Sequence, residues 1–479
     1  MNIKIKRRYR DNLHGSIDVS ELEDLVISHV YFQRLRRIKQ TALLFYVFPG
    51  AMHTRFEHSL GTLYLADRGW QKILDNKERF LNSYKPIAKV SKFNVIFNAL
   101  KNVETSLYLR QSLRLAALLH DVGHPPLSHS GEWFLPKGER VLLHNKDLPE
   151  YLKKYIKDNF FNKKVSHEVY SLIIMDKILR DILGKNKLDN FISPQDVASI
   201  MNSNIPPESD SPIKKFKLRD VFSELIGGSV DVDRMDYLLR DARQCGVSYG
   251  VFDADRILDT LSFYYSEQDD SYHLALRFSG LAAFEDYLRA RQSMYYQVYF
   301  HKTAVACEAM LRYVSNFIGE WNLPSNVYKY VEHDDSNIYL TLKEQIKKGP
   351  QRELLLRTLK GIFRERTLWK RVYEFSTLSS KNNLQNNILI ALDRENITYT
   401  AISSSMHTVV DLKNKEDYLR LVKKNSNNDC EITSLSDYSL LYKTRKTMKI
   451  FRVYVDLYGK SKEEITHINN IISNANLDL

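Results

Sequence analysis

Between Ser20 and Gln40 apolar residues recur at three- and four-residue steps, through Leu22, Leu25, Val26, Val30, Phe32, Leu35 and Ile38. That period predicts a helix. It returns from about Thr54 to Asn76, with Leu60, Leu63, Trp70 and Ile73 inward. The run QSLRLAALLHD, from Gln111, is almost wholly apolar in its second half, as in a helix buried on most sides. Gly123 and Pro125-Pro126 punctuate the chain after it. Further helices are predicted from near Ser166, over LRDVFSELI, over DVDRMDYLLRDARQ and across 281–320. In LSFYYSEQDDSYHLALRF two aromatic or alternating runs flank an acidic turn, which predicts a hairpin. Beyond about residue 330, NITYTAI and KIFRVYVDLY alternate as strands do. Residues 135–165 read as a Lys-rich surface excursion, and 202–216 as a polar insertion. The sum is a mainly α protein: an arm over 1–20, a helical bundle with a small β-hairpin over 21–325, and a smaller α+β region over 326–479.

A length of 479 residues fits a large domain with a smaller companion. Apolar and charged fractions of 43% and 27% are those of an ordinary globular protein. Lys and Arg exceed Asp and Glu by 70 to 58, and a net charge of +12 favours polyanionic partners such as nucleotides, nucleic acid or acidic membranes. No stripe of basic residues with interleaved aromatics supports nucleic acid itself. Cys245, Cys307 and Cys430 show no CxxC spacing, which predicts a reducing, cytoplasmic setting. No apolar run approaches the ~18 residues of a membrane helix.

Candidate chemistry changes this picture. Of 14 histidines, seven fall between residues 53 and 167. His120-Asp121 closes the apolar run, and an adjacent imidazole and carboxylate there suit Fe, Mn, Zn or Mg. A bound cation also accounts for an Asp set in apolar surroundings. His58, in HTRFEHSLG, is a third candidate ligand, and GGSVDVDRMDYLLRDA offers several acids for a fourth. In that helix Asp233, Tyr237, Arg240 and Asp241 share one face. Isolated histidines such as His53, His144 and His273 read as hydrogen-bonded core residues.

With these residues in place the chain resembles the HD-domain phosphohydrolases, and among them the deoxynucleoside triphosphate (dNTP) triphosphohydrolases of the SAM- and HD-domain branch. The similarity runs in order through DNLHGSIDV, FQRLRRIKQ, YVFPGAMHTRFEHSLGTLYLA, LLHDVGHPPLSH, SHEVYS, DVDRMDYLLRDA and RQSMYYQVYFHK, covering about residues 8–305. No SAM domain stands ahead of these motifs. The resemblance implies a metal held by His58, His120, Asp121 and Asp233, and so chooses Asp233 among the acids. It implies catalytic roles for His124, His129, Glu132 and His167, with Glu132 standing where the relative has Asp. Substrate would meet Gln40, Arg55, Arg234, Tyr237, Asp241, Arg291 and Tyr299. An effector nucleotide would meet Gln33, Arg36 and Arg277; departures from the family at Ser28 and Ser279 leave its base open.

The reaction implied is metal-dependent hydrolysis of a dNTP to deoxynucleoside and inorganic triphosphate. The cofactors implied are a divalent transition metal (Fe, Mn, Zn or Ni) at the histidine–aspartate site and Mg with the triphosphate. The partners implied are a dNTP substrate, a nucleotide effector and copies of the same chain, in a homo-oligomer of two to six subunits. The alternatives are another HD-type nucleotide phosphohydrolase, a nucleotidase or phosphodiesterase, and a nucleic-acid-binding scaffold.

Overall fold

The computed structural model describes residues 4–76, 95–186, 192–319, 321–347, 349–377, 384–407, 419–424, 430–443 and 447–477. The first residues form a hairpin of β1 (Ile5–Asp11) and β2 (Gly15–Ser20). Its turn needs a left-handed residue, met by Gly15 at φ +77°. Asp11 Oδ1 accepts the amides of Leu13 and His14 at 2.9 and 2.8 Å and so closes the turn.

The segment 20–40 is helical as its period predicts, but in three pieces. Ser20 and Glu23 form a reciprocal cap for the Glu21–Ser28 helix. His29 then leaves the helical region, with φ −67° and ψ 139°, and its ring accepts the Tyr31 amide. A tighter turn over Arg34–Arg37 follows. The break lets Arg34 bury its side chain and donate to the His333 carbonyl at 2.8 Å, a contact a straight helix leaves no reason to expect.

Two long helices, Arg55–Asp75 and Val103–Leu119, pack side by side at the centre. Leu60, Leu63, Trp70 and Ile73 on one, and Leu109, Leu113, Ala116 and Ala117 on the other, are fully or almost fully buried. An ion cluster sits beside this seam. Arg114 donates to both oxygens of Glu23 at 2.7 Å and to Asp67 at 2.7 Å, and Arg110 adds two bonds to Asp67 at 2.6 and 2.8 Å.

Segment 135–165 is not the surface excursion its lysines predict. It forms the helices Gly138–His144 and Glu150–Phe160, and Val141, Leu148, Leu152, Tyr155 and Ile156 enter the core. The lysines ride the outer faces of an amphipathic pair, and counting charge hides the period beneath it. Ser193-Pro194, which reads as a loop, starts the Pro194–Met201 helix, with Ser193 as cap and Pro194 in the first turn.

The remaining expected helices form over His167–Asn186, Arg219–Gly227, Val232–Cys245, Leu281–Met294 and Lys302–Phe317. The predicted hairpin is β3 (Leu261–Ser266) with β4 (Ser271–Arg277). Later strands extend it: β7 (Arg420–Lys424) joins β4 in parallel, and β8 (Cys430–Ser434) follows. A second sheet has the order β5-β9-β6, from Lys370–Thr377, Thr447–Val455 and Tyr399–His407. The structure is mainly α with small sheets, as the pattern predicts. Ile402, Leu421 and Tyr454 from the late strands share one apolar core with the central helices, so the last third packs onto the bundle.

Candidate metal centre and adjoining cleft

Two central helices and the Val232–Cys245 helix bring the predicted ligands together. His58 lies one turn into the Arg55–Asp75 helix, fully buried. His120 caps the C-terminus of the Val103–Leu119 helix, and Asp121 begins the turn beyond it. Asp233 is in the first turn of the Val232–Cys245 helix, capped by Asp231. His58 Nε2 stands 3.0 Å from Asp233 Oδ1 and 3.6 Å from Asp121 Oδ2. His120 Nε2 stands 3.5 Å from Oδ1 of each acid.

Tautomers are fixed from behind. His120 Nδ1 donates to the Ala117 carbonyl at 2.9 Å, and His58 Nδ1 donates to Asp236 Oδ2 at 2.8 Å. Each ring therefore turns its Nε2 lone pair to the same point, and neither Nε2 makes a hydrogen bond. Two buried imidazole nitrogens without partners, beside the Asp233 carboxylate, form a group that could hold a divalent cation, with Asp121, paired to Arg55, at its edge. The carboxylates favour positive charge at this point, a proton on His58 Nε2 or a cation in its place. Burial pulls the His58 imidazole down, but the carboxylates of Asp233 and Asp236 outweigh it and raise it to about 10. Asp121 and Asp233 resist burial in the opposite sense, and the neighbouring cationic groups hold both below the usual carboxylate range.

Asp236 is held as firmly as the ligand it orients. Arg240 donates to its two oxygens at 2.9 and 3.0 Å, and His14 from the first hairpin reaches Oδ1 at 2.6 Å. Asp11 in turn accepts from Arg240 at 2.8 Å. Gly61 leaves room for this group: a Cβ there would lie 1.9 Å from Asp236 Oδ1.

A second cluster lies beside the first. The rings of His124 and His167 stack with centroids 3.8 Å apart. Glu132 Oε1 hydrogen-bonds His167 Nδ1 and stands 3.5 Å from His129 Nδ1. Burial raises the Glu132 carboxyl, but hydrogen bonds to His129 and His167 carry it far below the usual carboxylate range. Burial, then the charges of Arg55 and His167, push the His124 imidazole well down. His129 is the open member, its side chain 71% exposed. It sits on a short 3-10 turn, Ser128–Phe134, entered through two successive left-handed residues, Leu127 at φ 63° and Ser128 at φ 51°. The surroundings hold this costly backbone in place. Asp335 takes the Leu127 amide at 2.7 Å and the Lys39 amide at 2.9 Å, and Ser128 donates to the Lys39 carbonyl at 2.7 Å.

A cleft of about 340 Å³ opens from these groups and is lined by Gln40, Arg55, Ser128, His129, Tyr237, Asp241 and Tyr299 among others. Arg55 spans its inner wall, bonded to Asp121 and to Ser128 Oγ at 2.9 Å. Asp241 accepts from Tyr299 at 2.6 Å and contacts His53 Nε2 at 2.6 Å. Two expected substrate residues stand back from the cleft lining. Arg234 is bound to Asp231 and the Gly228 carbonyl at 2.9 and 2.8 Å, and Arg291 is buried over the Tyr295 ring at 5.1 Å. Gln33 and Arg36 pair with each other at 2.9 Å, and Arg277 donates to the Asp259 carbonyl at 2.7 Å. Sequence reasoning missed His14, Asp236 and Asp335, and placed His53 in the plain core. Only Asp236 left a signal, three residues from Asp233 in the same helix.

Residues 107–241, which include His120, Asp121 and Asp233, match the family described as HD domain. The chain thus carries an HD domain. Residues 252–474, which carry the late sheets, match the HD associated region. Among curated relatives, an uncharacterised protein of Methanocaldococcus jannaschii is 31% identical over 66% of this chain and 50% of its own length. The deoxynucleoside triphosphate triphosphohydrolase SAMHD1 of Mus musculus is 28% identical over 64% of this chain and 44% of its own length. The match thus spans about half of each relative. Among solved structures, a hypothetical protein from Aquifex aeolicus superposes with TM-score 0.66 at 25% identity, over 97% of this chain and 99% of that one. A phosphohydrolase from Bacteroides thetaiotaomicron shares the fold, with TM-score 0.61 at 22% identity over 94% and 99%. No helix among the described residues is long and apolar enough to cross a membrane.

Proposed function

We propose that this HD-domain protein hydrolyses dNTPs to deoxynucleoside and inorganic triphosphate. The observation that carries the reading is the cleft itself, which joins Arg55 and His129, beside the His58–His120–Asp233 group, to Gln40, Tyr237, Asp241 and Tyr299. A group able to hold a cation for phosphate thus adjoins an aromatic and amide wall suited to a nucleoside. The 28% identity to dNTP triphosphohydrolases supports the same substrate class.

His58, His120, Asp121 and Asp233 would hold the divalent transition metal, which would supply Lewis acidity and a water of lowered pKa. Arg55 pairs with an α-phosphate oxygen, using the guanidinium face that otherwise meets Asp121. The oxygen of water joins the α-phosphorus, the bond from phosphorus to the 5′-oxygen breaks, His129 gives its proton to that leaving oxygen, and the proton released by the water restores the imidazolium. Glu132, ionised and shared with His167, orients His129 for the transfer. Gln40 and Asp241 hold the 3′-hydroxyl, and the Tyr237 ring beneath the sugar leaves little room for a 2′-hydroxyl. Mg accompanies the triphosphate, whose charge needs cations beyond Arg55.

The test incubates metal-loaded protein with each dNTP, singly and mixed, and separates products by chromatography. The reading predicts deoxynucleoside and intact triphosphate, abolished by His120→Ala or Asp121→Ala in folded protein; turnover only in mixtures would mark a nucleotide effector. All four dNTPs left intact would defeat it. Inorganic phosphate from monophosphates, or linear products from cyclic dinucleotides, would assign a different HD-type hydrolase.

A further inference from the structure

The far wall of the cleft comes from the HD-associated region. Ala304 and Glu308 lie one turn apart on the Lys302–Phe317 helix, and Ser403 and Ser404 lie on β6. Thr400 Oγ1 donates to the Ala309 carbonyl at 3.2 Å and ties this strand to that helix. Nothing in the proposed reaction uses Glu308. Among the described residues, no hydrogen bond or close ion pair engages its carboxyl or the two serine hydroxyls. Burial pushes the Glu308 carboxyl up to about 7, and the Arg312 charge one turn along offsets only part of this. The other carboxylate in the cleft lining, Asp241, is already engaged by His53 and Tyr299. A carboxyl that no described protein group engages, in the same cleft lining as Gln40, Tyr237 and Asp241, is open to a donor on a ligand.

We propose that Glu308, with Ser403 and Ser404, reads the nucleobase, accepting from the amino group of an amino-bearing base and disfavouring thymine. The proposal rests on the nucleotide reading of the cleft above. A carboxylate accepts from an exocyclic amine such as cytosine N4, whereas thymine presents the O4 acceptor at that edge. The ionised carboxyl, which prevails above about pH 7, then sets lone pair against lone pair, and thymine can be met only by the protonated form. The serine hydroxyls, able to donate or accept, fit either partner and do not discriminate alone.

The experiment compares dCTP with dTTP, which match in ring size. The ratio of their kcat/KM values is measured for wild-type protein and for Glu308→Gln, whose amide donates to O4. In parallel, calorimetry gives the Kd ratio of deoxycytidine to thymidine, which needs no turnover. Wild type should favour the cytosine compounds by about tenfold or more, and Glu308→Gln should cut that preference about tenfold in both assays. Equal ratios for wild type and variant in both assays would overturn the inference. Intact dNTPs with a shifted nucleoside ratio would defeat the proposed reaction and leave base reading standing; intact dNTPs with a flat nucleoside ratio would defeat both. Should Glu308→Gln not fold, the Ser403→Ala/Ser404→Ala double variant carries the test: weaker binding of both nucleosides supports the wall as a base site, and unchanged binding overturns it.

Discussion

His14 Nε2 lies 2.6 Å from Asp236 Oδ1, while the other oxygen of that carboxylate takes His58 Nδ1 at 2.8 Å. A turn at the start of the chain thus grips the acid that orients a metal-ligand candidate, although 222 residues separate the two partners. Outer partners of this kind set ligand orientation and basicity, and their loss lowers metal affinity about 10- to 100-fold. His14→Ala should weaken metal binding by that factor, read by competition against a chelator, with far-UV circular dichroism unchanged. Equal affinity would show that the hairpin does not serve the site. Gly61→Ala should be worse, because its methyl group meets the Asp236 carboxylate directly.

His129 and Glu132 separate proton transfer from metal binding. His129→Gln should lower kcat by about 10²- to 10⁴-fold, the usual contribution of a positioned acid. Glu132→Gln should fall in the same direction by less, since it leaves the imidazole present but loosely aimed. Metal content, measured on the same samples, should not change in either variant. Loss of metal would place these residues in the first cluster instead.

In the proposed reaction Tyr237, which lines the cleft, would carry the discrimination against ribonucleotides. With the ring removed in Tyr237→Ala, the preference for dATP over ATP should fall about 10- to 100-fold, the range over which a hydrophobic wall rejects an added hydroxyl. The ratio of the two kcat/KM values checks this, and an unchanged ratio would move the sugar elsewhere in the cleft.

Acid should unfold the bundle through its buried ion cluster. Burial raises the Asp67 carboxyl, but Arg110 and Arg114 outweigh it, so its folded pKa lies below the ordinary 3.8. A depressed folded pKa gives stability that is present above 3.8 and lost as pH falls below it toward the folded value. Asp67→Asn should therefore flatten the decline in stability below about pH 4, followed by urea unfolding from pH 6 to 2. Arg114→Met leaves Glu23 and Asp67 without their shared cation and should cost about 3–5 kcal/mol. A decline as steep in Asp67→Asn as in wild type would place the acid sensitivity elsewhere.

Helix positions were legible where one face stays apolar over several turns, as in Leu60, Leu63, Trp70 and Ile73. The His29 break was not, because its cause is a ring capping an amide together with the burial of Arg34, neither of which alters the period. Val141, Leu152 and Ile156 were hidden by the lysines between them. At the site, His58 and His120 could be named because ligand chemistry restricts residue type, Asp233 only through the family resemblance, and the structure brings the three together. His14, His53 and Asp335 could not, since each acts by reaching a group close only in the folded chain. Arg234 shows the converse: its type and place suit a phosphate, yet Asp231 and the Gly228 carbonyl engage it.

Elemental analysis of the purified, dialysed chain beside His58→Ala and His120→Ala tests the convergence of His58, His120, Asp121 and Asp233 on one cation. The account predicts one divalent transition metal per wild-type chain and almost none in either variant, with all three folded. Folded wild-type protein that takes up no metal even when it is supplied, or variants that retain it in full, would contradict it.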